Sequence, residues 1–431
     1  MQNKLVLENV KGTRDTHPEE MLIKEEIINK INKIFKSYGF VPLATPALEK
    51  YELLASKSAG GSDIDKETYN FEISGRKLAL KYDQTVPLSR YIGMNSHLTL
   101  PFKRYQYDRS WRYGDIGPGR YREFYQFDID IVGSSSMIAE AEILSAIVDV
   151  MKELGIKGFK IRVSNRKLLD EIVLKTGIKK INNKDIFRAI DKLEKIGEEC
   201  VINELEKIGL TKTISKEILK YINLRGKPEK VLVELEKNFK ETKGYAELKE
   251  LADYAEHFGI IKYLDYDISI ARGLDYYTGP VFETNVEELN LGSICSGGRY
   301  DNMIGMFSGK AIPATGISLG IDRIIDTMKR LNLIKERKTA TQIMVCTVKN
   351  ELLKESIKIS KELRENGFNV EVDLMNKSLK NQIKYADKQC IQKIIIIGEK
   401  ELAENKITIR NLETSKEKTV LKQKLLEELR I

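Results

Sequence analysis

The rhythm of apolar residues changes once along the chain, and this change restricts the folds that the chain can adopt. In residues 342–431, short apolar runs such as Gln342–Val348 alternate with helical segments such as Glu351–Asn366, which predicts a compact α/β domain. In residues 1–330, apolar or aromatic runs are instead separated by turn-prone segments, which favours an antiparallel sheet. A polar, charge-rich linker at residues 331–341 joins the two parts.

Helical patterns interrupt the first part at three places. Near the start, apolar residues at helical spacing predict a helix over Pro18–Tyr38, which Gly39 ends. From residue 179 to residue 258, lysine- and glutamate-rich helix formers predict a helical insertion. Close to the linker, we expect Gly316–Met328 to form a helix that begins at a glycine.

Composition narrows the function classes. Basic residues (72) exceed acidic residues (64), and the net charge of +8 favours polyanionic partners such as nucleic acid. The four cysteines and three histidines are scattered without metal-ligand spacing, so we predict neither a disulfide framework nor a protein metal site. No segment approaches the ~18 to 20 apolar residues of a membrane span, and the N-terminus lacks the apolar core of a secretory signal. We therefore expect a cytoplasmic protein that makes no use of a membrane.

Standard phosphate-binding loops are missing, so a bound nucleotide would need another kind of support. No G-x-x-x-x-G-K-[ST] occurs, and the glycines after Arg112 do not fit G-x-G-x-x-G. Arginine is the alternative, because its planar guanidinium can clamp phosphate oxygens. Three arginine-bearing segments fit that role: Trp111–Asp130, Ala271–Glu283 and Gly316–Arg323.

Each segment also has a purely structural interpretation. The first could be a surface hairpin with solvated charges, the second a tyrosine-rich strand and turn, and the third a glycine-packed helix with an exposed arginine. If the first is a hairpin, alternation places Phe124, Gln126, Asp128 and Asp130 on one face, where they could present a ring and polar groups to a small ligand.

Taken together and in this order, the segments resemble the three signature motifs of class II aminoacyl-tRNA synthetases. Arg272–Tyr277, which reads Arg-Gly-Leu-Asp-Tyr-Tyr, is similar to a signature of the histidyl-tRNA synthetase family. Further matches to that family extend over essentially the whole chain: Lys11–Asp15, Thr45–Glu49, Tyr82–Pro87, Ser296–Asp301 and Ser378–Asp387.

The resemblance implies a fold, an activity and a set of partners. The fold is an α+β catalytic core, built on the class II antiparallel sheet with the helical insertion, followed by a C-terminal α/β anticodon-binding domain. The activity is ATP-dependent ligation of L-histidine to tRNA(His) through a histidyl-adenylate, which releases AMP and pyrophosphate. ATP with Mg²⁺, L-histidine and tRNA(His) are the implied ligands. A homodimer is implied as well, because the first class II motif, here at Thr45–Glu49, builds a dimer interface.

The resemblance also implies roles for single residues. Arg272 and Arg112 would act in catalysis, with Arg112 on the α-phosphate and Arg272 between that phosphate and the amino acid's carboxylate. Phe124 would stack on adenine, and Arg323 would bind ATP from the opposite side. The residues implied for histidine are Asp83, Thr85, Arg112, Gln126, Asp130, Arg272, Tyr276 and Tyr277.

Two alternatives stay open at this point. A non-catalytic relative that serves as a regulatory subunit in histidine biosynthesis shares the core, but such chains usually lack the anticodon domain and have eroded motifs. A class II synthetase for another amino acid is the second, and Arg272–Tyr277 argues against it. One departure from the family pattern is also present: the acidic residue expected two places after the motif arginine is replaced by Gly114, with Asp115 following it.

Overall fold

A computed structural model describes residues 7–55, 66–117, 119–177, 183–271, 276–289, 292–334 and 337–430. Contacts divide the chain into two compact units, one comprising Met1–Asp15 and Ile27–Leu333 and the other Thr16–Glu26 and Ile334–Ile431. The boundary between Leu333 and Ile334 falls inside the predicted linker, whereas the grouping of residues 16–26 with the second unit was not predicted. The domain limits themselves stay predictions.

Twelve strands are found in the described residues of the first unit. They are β1 (Val41–Pro42), β2 (Leu48–Lys50), β3 (Asn70–Ile73), β4 (Arg76–Leu80), β5 (Phe102–Trp111), β6 (Glu123–Val132), β7 (Phe159–Asn165), β8 (Arg225–Gly226), β9 (Leu264–Asp267), β10 (Pro280–Val286), β11 (Cys295–Arg299) and β12 (Ala314–Gly320). Nine of them form one sheet in the order β1-β5-β6-β12-β11-β10-β7-β9-β8, and β2-β4-β3 form a small second sheet. The six neighbouring strands β5-β6-β12-β11-β10-β7 pair with one another only in antiparallel fashion, which confirms the predicted antiparallel core.

Helices cover the sheet and fill the predicted insertion. They are α1 (Pro18–Ser37), α2 (Tyr51–Leu54), α3 (Thr85–Met94), α4 (Ile138–Glu153), α5 (Arg166–Lys175), α6 (Asn183–Ile190), α7 (Leu193–Lys207), α8 (Lys212–Ile222), α9 (Pro228–Phe239), α10 (Lys243–His257), α11 (Met303–Ser308) and α12 (Ile321–Arg330). The described residues of the insertion are almost entirely helical, as the sequence predicts. None of the helices in the described parts of the chain combines the length and apolar character needed to cross a lipid bilayer.

The β5–β6 hairpin separates the hydrophobic core from an open face. Phe102 pairs with Val132 at one end and Trp111 with Glu123 at the other, so side chains of β6 alternate between the two faces. Phe127 lies on the core side, where its ring meets Phe35 of α1 edge-on with 5.1 Å between centroids. Burying a side chain of this size contributes roughly 1.5 to 3 kcal/mol. The other face of β6 is left for polar side chains.

The predicted helix over Gly316–Met328 is wrong in its first part. Residues 314–320 form β12, in the middle of the large sheet, and the helix begins only at Ile321. The glycines serve close packing between strands: a Cβ at Gly297 would lie 2.1 Å from the Gly316 carbonyl oxygen on the neighbouring strand. Arg323 consequently lies in the first turn of α12, directly after a strand.

The second unit has the predicted α/β alternation. Its strands are β13 (Ile343–Thr347), β14 (Val370–Val372), β15 (Lys393–Ile397), β16 (Lys406–Asn411) and β17 (Glu417–Leu421), and its helices are α13 (Leu353–Glu365), α14 (Leu379–Lys388), α15 (Glu399–Ala403) and α16 (Leu425–Arg430). The sheet order is β14-β13-β15-β16-β17, with β13 parallel to both of its neighbours. Side chains such as Ile343, Val345 and Ile395 are buried in its core.

Candidate active site

A cavity of about 560 Å³ lies over the open face of the large sheet. Its walls come from β6, β10, β11, β12 and the starts of α3 and α12. Every predicted site residue that the structure describes lines this cavity: Asp83, Thr85, Arg112, Phe124, Gln126, Asp130, Tyr276, Tyr277 and Arg323. Arg272 lies outside the described residues, so its predicted catalytic role stays a prediction.

One end of the cavity is cationic. Arg112, Arg120 and Arg323 all line it, and burial together with repulsion from Arg120 and Arg112 lowers the pKa of Arg323. Like charges brought this close to one another favour a polyanionic ligand that relieves their repulsion. Arg112 is anchored through Nε, which donates to the Tyr82 carbonyl at 2.9 Å, and its guanidinium lies 5.5 Å from the Phe124 ring centre.

The start of α3 places a carboxylate in the cavity. Asp83 Oδ1 accepts a hydrogen bond from the Val86 amide at 3.1 Å, so it satisfies one of the free amides in the first turn of the helix that carries Thr85. Its other oxygen, Oδ2, is buried and meets no donor among the described residues. Burial raises the pKa of Asp83 to about 6, against the opposing effects of the Val86 amide and Arg112. An incoming cationic group would supply the missing partner.

Asp130 belongs to a buried ion pair. Its Oδ2 lies 2.8 Å from a guanidinium nitrogen of Arg104, which is directly opposite on β5 and 0% exposed. Its Oδ1 accepts the hydroxyl of Tyr300 at 2.5 Å. Burial raises the pKa of Asp130, and Arg104 and Tyr300 counteract that rise. The predicted site residue therefore fixes two further side chains in place.

Asp128 lies next to Asp130 on the same face of β6 and also lines the cavity. Ser318 is opposite it on β12, accepts the Gln126 amide at 2.8 Å and hydrogen-bonds Asp128. Asp128 Oδ1 and Gln126 Oε1 are buried and meet no donor in the part of the chain that the structure describes. Two acceptors thus remain available to a ligand.

The titration of Asp128 yields a testable prediction. Burial raises its pKa to about 7, Arg104 opposes the shift, and Asp130 and Asp83 add to it. The folded state therefore holds this proton more tightly than the unfolded state, so the contribution to stability is complete below about pH 4 and is lost as pH rises through about 7. We expect the melting temperature of Asp128→Asn to rise relative to that of the unmodified chain between about pH 4 and about pH 7, with little further change at higher pH. Calorimetry that shows a constant difference would contradict a buried, titrating Asp128.

The departure at Gly114 has a structural counterpart. Glu67 lines the cavity beside Gly114, and a Cβ added at Gly114 would lie 3.6 Å from both of its carboxylate oxygens. The Tyr113 amide donates to the Glu67 carbonyl at 2.7 Å, which joins the two segments. A carboxylate is therefore present next to the position where the family motif has one, although a different part of the chain supplies it.

Sequence reasoning missed several cavity residues and their supports. Alternation along β6 places Asp128 on the correct face, but no motif marks it as a site residue. Tyr300 lies in the motif Ser296–Asp301, which by itself indicates no role for the tyrosine. Arg120 lies within the segment Trp111–Asp130, where sequence alone does not distinguish it from a solvated arginine. Arg104 carried no signal of its own, because only the β5–β6 register shows that it faces Asp130.

Two protein-family models together match most of this chain. The family model described as "Histidyl-tRNA synthetase" matches residues 12–324, and the model described as "Anticodon binding domain" matches residues 342–430. The histidine–tRNA ligases of Aeropyrum pernix and Clostridium tetani are 40% and 37% identical to this chain over 397 and 422 residues. These alignments cover 91% and 95% of this chain and 90% and 94% of the relatives.

Solved structures show the same fold. The histidyl-tRNA synthetase of Nostoc sp. superposes with a TM-score of 0.89 at 34% identity, and 99% of each chain is covered. A Bacillus halodurans protein, described as an ATP phosphoribosyltransferase regulatory subunit/histidyl-tRNA synthetase, superposes with a TM-score of 0.77 at 22% identity. That match covers 91% of this chain and 99% of the other, and it shows the fold alone.

Proposed function

The chain belongs to the histidyl-tRNA synthetase family, and from this premise we propose that it ligates L-histidine to tRNA(His) in an ATP-dependent reaction. The observation that carries the proposal is the composition of one cavity, which joins a cationic end to a group of buried, unpartnered acceptors. Such a cavity suits a triphosphate beside a small substrate with several N–H donors. ATP and histidine, the two reactants of amino-acid activation, match these two descriptions.

ATP fits the cationic end. Arg112 and Arg323 are assigned to its phosphates, because guanidinium groups held in advance stabilise the charge that develops during transfer. Phe124 offers a ring at the same end for the adenine. The assignment is supported by the mutual repulsion of Arg112, Arg120 and Arg323, which a polyphosphate would relieve.

Magnesium is proposed as the ion that accompanies ATP. Within the described ranges, no three histidine, cysteine, aspartate or glutamate side chains come together as a metal cage. Mg²⁺ on ATP takes most of its ligands from phosphate oxygens and water, and one or two carboxylates suffice on the protein side. Glu283 on β10 lines the cavity and interacts electrostatically with Arg323, so it is the carboxylate that we assign to this ion. When bound, Mg²⁺ would neutralise part of the phosphate charge.

Histidine fits the other end. Asp83 and Thr85 are assigned to its ammonium group, in agreement with the unpartnered Oδ2 of Asp83. Gln126, Asp130, Tyr276 and Tyr277 are assigned to the imidazole side of the cavity. Imidazole offers a donor and an acceptor, so a pocket that satisfies both is left with unsatisfied groups when an apolar analogue enters.

With these assignments, the carboxylate of histidine and the α-phosphate of ATP would lie side by side. A carboxylate oxygen of histidine attacks the α-phosphorus, the bond to the β-phosphate oxygen breaks, and pyrophosphate leaves. A terminal ribose hydroxyl of the tRNA then attacks the histidyl carbonyl carbon, and AMP leaves. Positioning and charge stabilisation carry both steps. We assign Arg272 to a position between the α-phosphate and the histidine carboxylate, where its guanidinium would stabilise the negative charge that develops in the first step.

Binding of tRNA is assigned to the C-terminal domain and to basic residues elsewhere. The net charge of +8 supports a nucleic-acid partner, since phosphate neutralisation dominates such binding. We also propose a cytoplasmic homodimer. Leu48, Phe71 and Ile73 expose apolar side chains on the small sheet next to the Thr45–Glu49 motif, which is consistent with an interface there. Light scattering on the purified chain tests the dimer.

The regulatory-subunit alternative makes a different prediction. Such a chain has no need of an anticodon domain or of arginines for ATP. Here an anticodon-binding-domain model matches residues 342–430, and Arg112, Arg120 and Arg323 line the cavity, which supports the ligase over the regulatory subunit. The deciding experiment is ATP–pyrophosphate exchange with each of the twenty amino acids, followed by charging of purified tRNA. Exchange that depends on histidine alone, with histidyl-tRNA as product, is the expected result. A correctly folded protein without exchange would overturn the proposal.

Tyr277→Phe is expected to raise the Michaelis constant for histidine roughly 3- to 10-fold, with a smaller effect on that for ATP. Tyr277 lines the cavity on the side assigned to imidazole, and loss of one neutral hydrogen bond to the ligand has about this effect. Pyrophosphate exchange measured against each substrate in turn provides the comparison. Equal changes for both substrates would contradict a role in amino-acid recognition.

A further inference from the structure

A short turn before α1, residues 10–14, packs against the loop end of the β5–β6 hairpin. The Thr13 amide closes this turn on the Val10 carbonyl at 2.9 Å. The Gly12 carbonyl accepts the Arg122 amide at 2.8 Å, and the Arg122 carbonyl accepts the Arg112 amide at 2.9 Å. Glycine permits this approach, because a Cβ added at Gly12 would lie 2.6 Å from Arg122 Cδ. The turn is therefore hydrogen-bonded to the hairpin beside an arginine assigned to ATP.

Arg14 connects the same turn to the start of α12. Its guanidinium lies 4.6 Å from the ring centre of Tyr121, and its Nη2 lies 3.6 Å from Asp322 Oδ1. The other oxygen of Asp322 accepts the Tyr125 amide at 3.2 Å, so this carboxylate joins α12 to β6. One ion pair thus links the turn to the helix that carries Arg323 and to the hairpin.

Asp322 places a carboxylate at the end of the cavity that is assigned to phosphates. It lines the cavity directly before Arg323, and its side chain is 8% exposed. A carboxylate there repels a polyanion unless a nearby cation offsets its charge. Arg14 is that cation, yet it does not itself line the cavity. Its effect on a bound triphosphate would therefore pass through Asp322.

We propose that Arg14 is a positioning residue for ATP. It offsets the charge of Asp322 and holds this carboxylate on the Tyr125 amide, which keeps the hairpin and the start of α12 in the geometry that binds the triphosphate. The inference rests on the proposed function and extends the ATP site to a segment that does not touch the substrates.

Arg14→Ala tests this role through a difference between the two substrates. We expect its ATP dissociation constant, measured by calorimetry on the full chain, to rise roughly 5- to 30-fold, as for one uncompensated charge facing a polyanion across a partly solvated cavity. The dissociation constant for histidine should change less than about twofold. A partly exposed ion pair adds little to folding, so the melting temperature should change by less than about 3 °C. Unchanged ATP affinity, or an equal loss for both substrates, would overturn the proposal.

Two further variants show whether Arg14 acts through the charge of Asp322. Arg14→Lys keeps the positive charge and should recover most of the ATP affinity. Asp322→Asn removes the negative charge and keeps an acceptor for the Tyr125 amide, so adding Arg14→Ala to it should weaken ATP less than about threefold. The same loss from Arg14→Ala on both backgrounds would show that Arg14 acts independently of Asp322, against the proposal.

Arg330→Ala is the matched control for the loss of one positive charge. Arg330 ends α12, and its Nε lies 3.5 Å from Asp326 Oδ2, a separation similar to that of the Arg14–Asp322 pair. This variant should bind ATP as the unmodified chain does. A loss as large as that of Arg14→Ala would reflect net charge alone and would refute the positioning role. Failure of the proposed function would appear separately, as an unmodified chain that does not bind ATP.

Discussion

Arg272→Ala is expected to slow histidyl-adenylate formation by roughly 100- to 1000-fold, or ~3 to 4 kcal/mol, as for loss of a donor held in place for the transition state. The guanidinium is assigned to the charge that develops as the α-phosphate becomes five-coordinate. Because that charge is absent from the bound substrates, their affinities should change much less than the rate. Single-turnover adenylate formation measures the chemical step directly.

Arg272→Lys provides the matched control. An ammonium group keeps the charge but does not reproduce the planar fork that can span a phosphate and a carboxylate, so we expect only partial recovery of the rate. If Arg272 serves only to hold a loop, the alanine variant should instead show a lower melting temperature and weaker binding of both substrates. A normal chemical rate in folded Arg272→Ala would refute the catalytic assignment.

The sequence predicted those parts of the fold that depend on local pattern. Alternation along β6 correctly placed Phe124, Gln126, Asp128 and Asp130 on one face, because side chains on a strand alternate strictly. The same reasoning predicted the strand at Gln342–Val348 and the helix at Glu351–Asn366 to within a few residues. These segments carry their structural signal within themselves.

Features that depend on neighbouring strands were not predictable in this way. Gly316 resembled a helix start because glycine has no pattern of its own, yet it lies in a central strand, against Asp130. Arg104 resembled any strand arginine, and its burial opposite Asp130 follows only from the pairing of β5 with β6. Which oxygens near Asp128 stay without a donor depends on the side chains of β5, β6 and β12 together, so sequence alone does not show it.

Gly316→Ala is expected to destabilise the protein by about 3 to 5 kcal/mol and to abolish measurable histidine binding. An added Cβ would lie 1.9 Å from Asp130 Oδ1 and 2.9 Å from the Ile129 carbonyl oxygen, so the Asp130 carboxylate must move. Arg104 would then be left buried without its counter-charge, and breaking a buried ion pair has about this effect on stability. The displaced carboxylate would also enter the space assigned to imidazole.

Gly320→Ala is the stability control for this substitution, because it lies on the same strand. The nearest atoms to its added Cβ are 3.6 Å away, which is ordinary contact, and its φ of −80° is accessible to alanine. We expect its unfolding free energy to stay within about 1 kcal/mol of the unmodified value. Urea unfolding of the two variants, with calorimetric titration of histidine into Gly316→Ala, provides the comparison. Unchanged stability in Gly316→Ala would show that the Asp130–Arg104 pair does not hold this part of the sheet together.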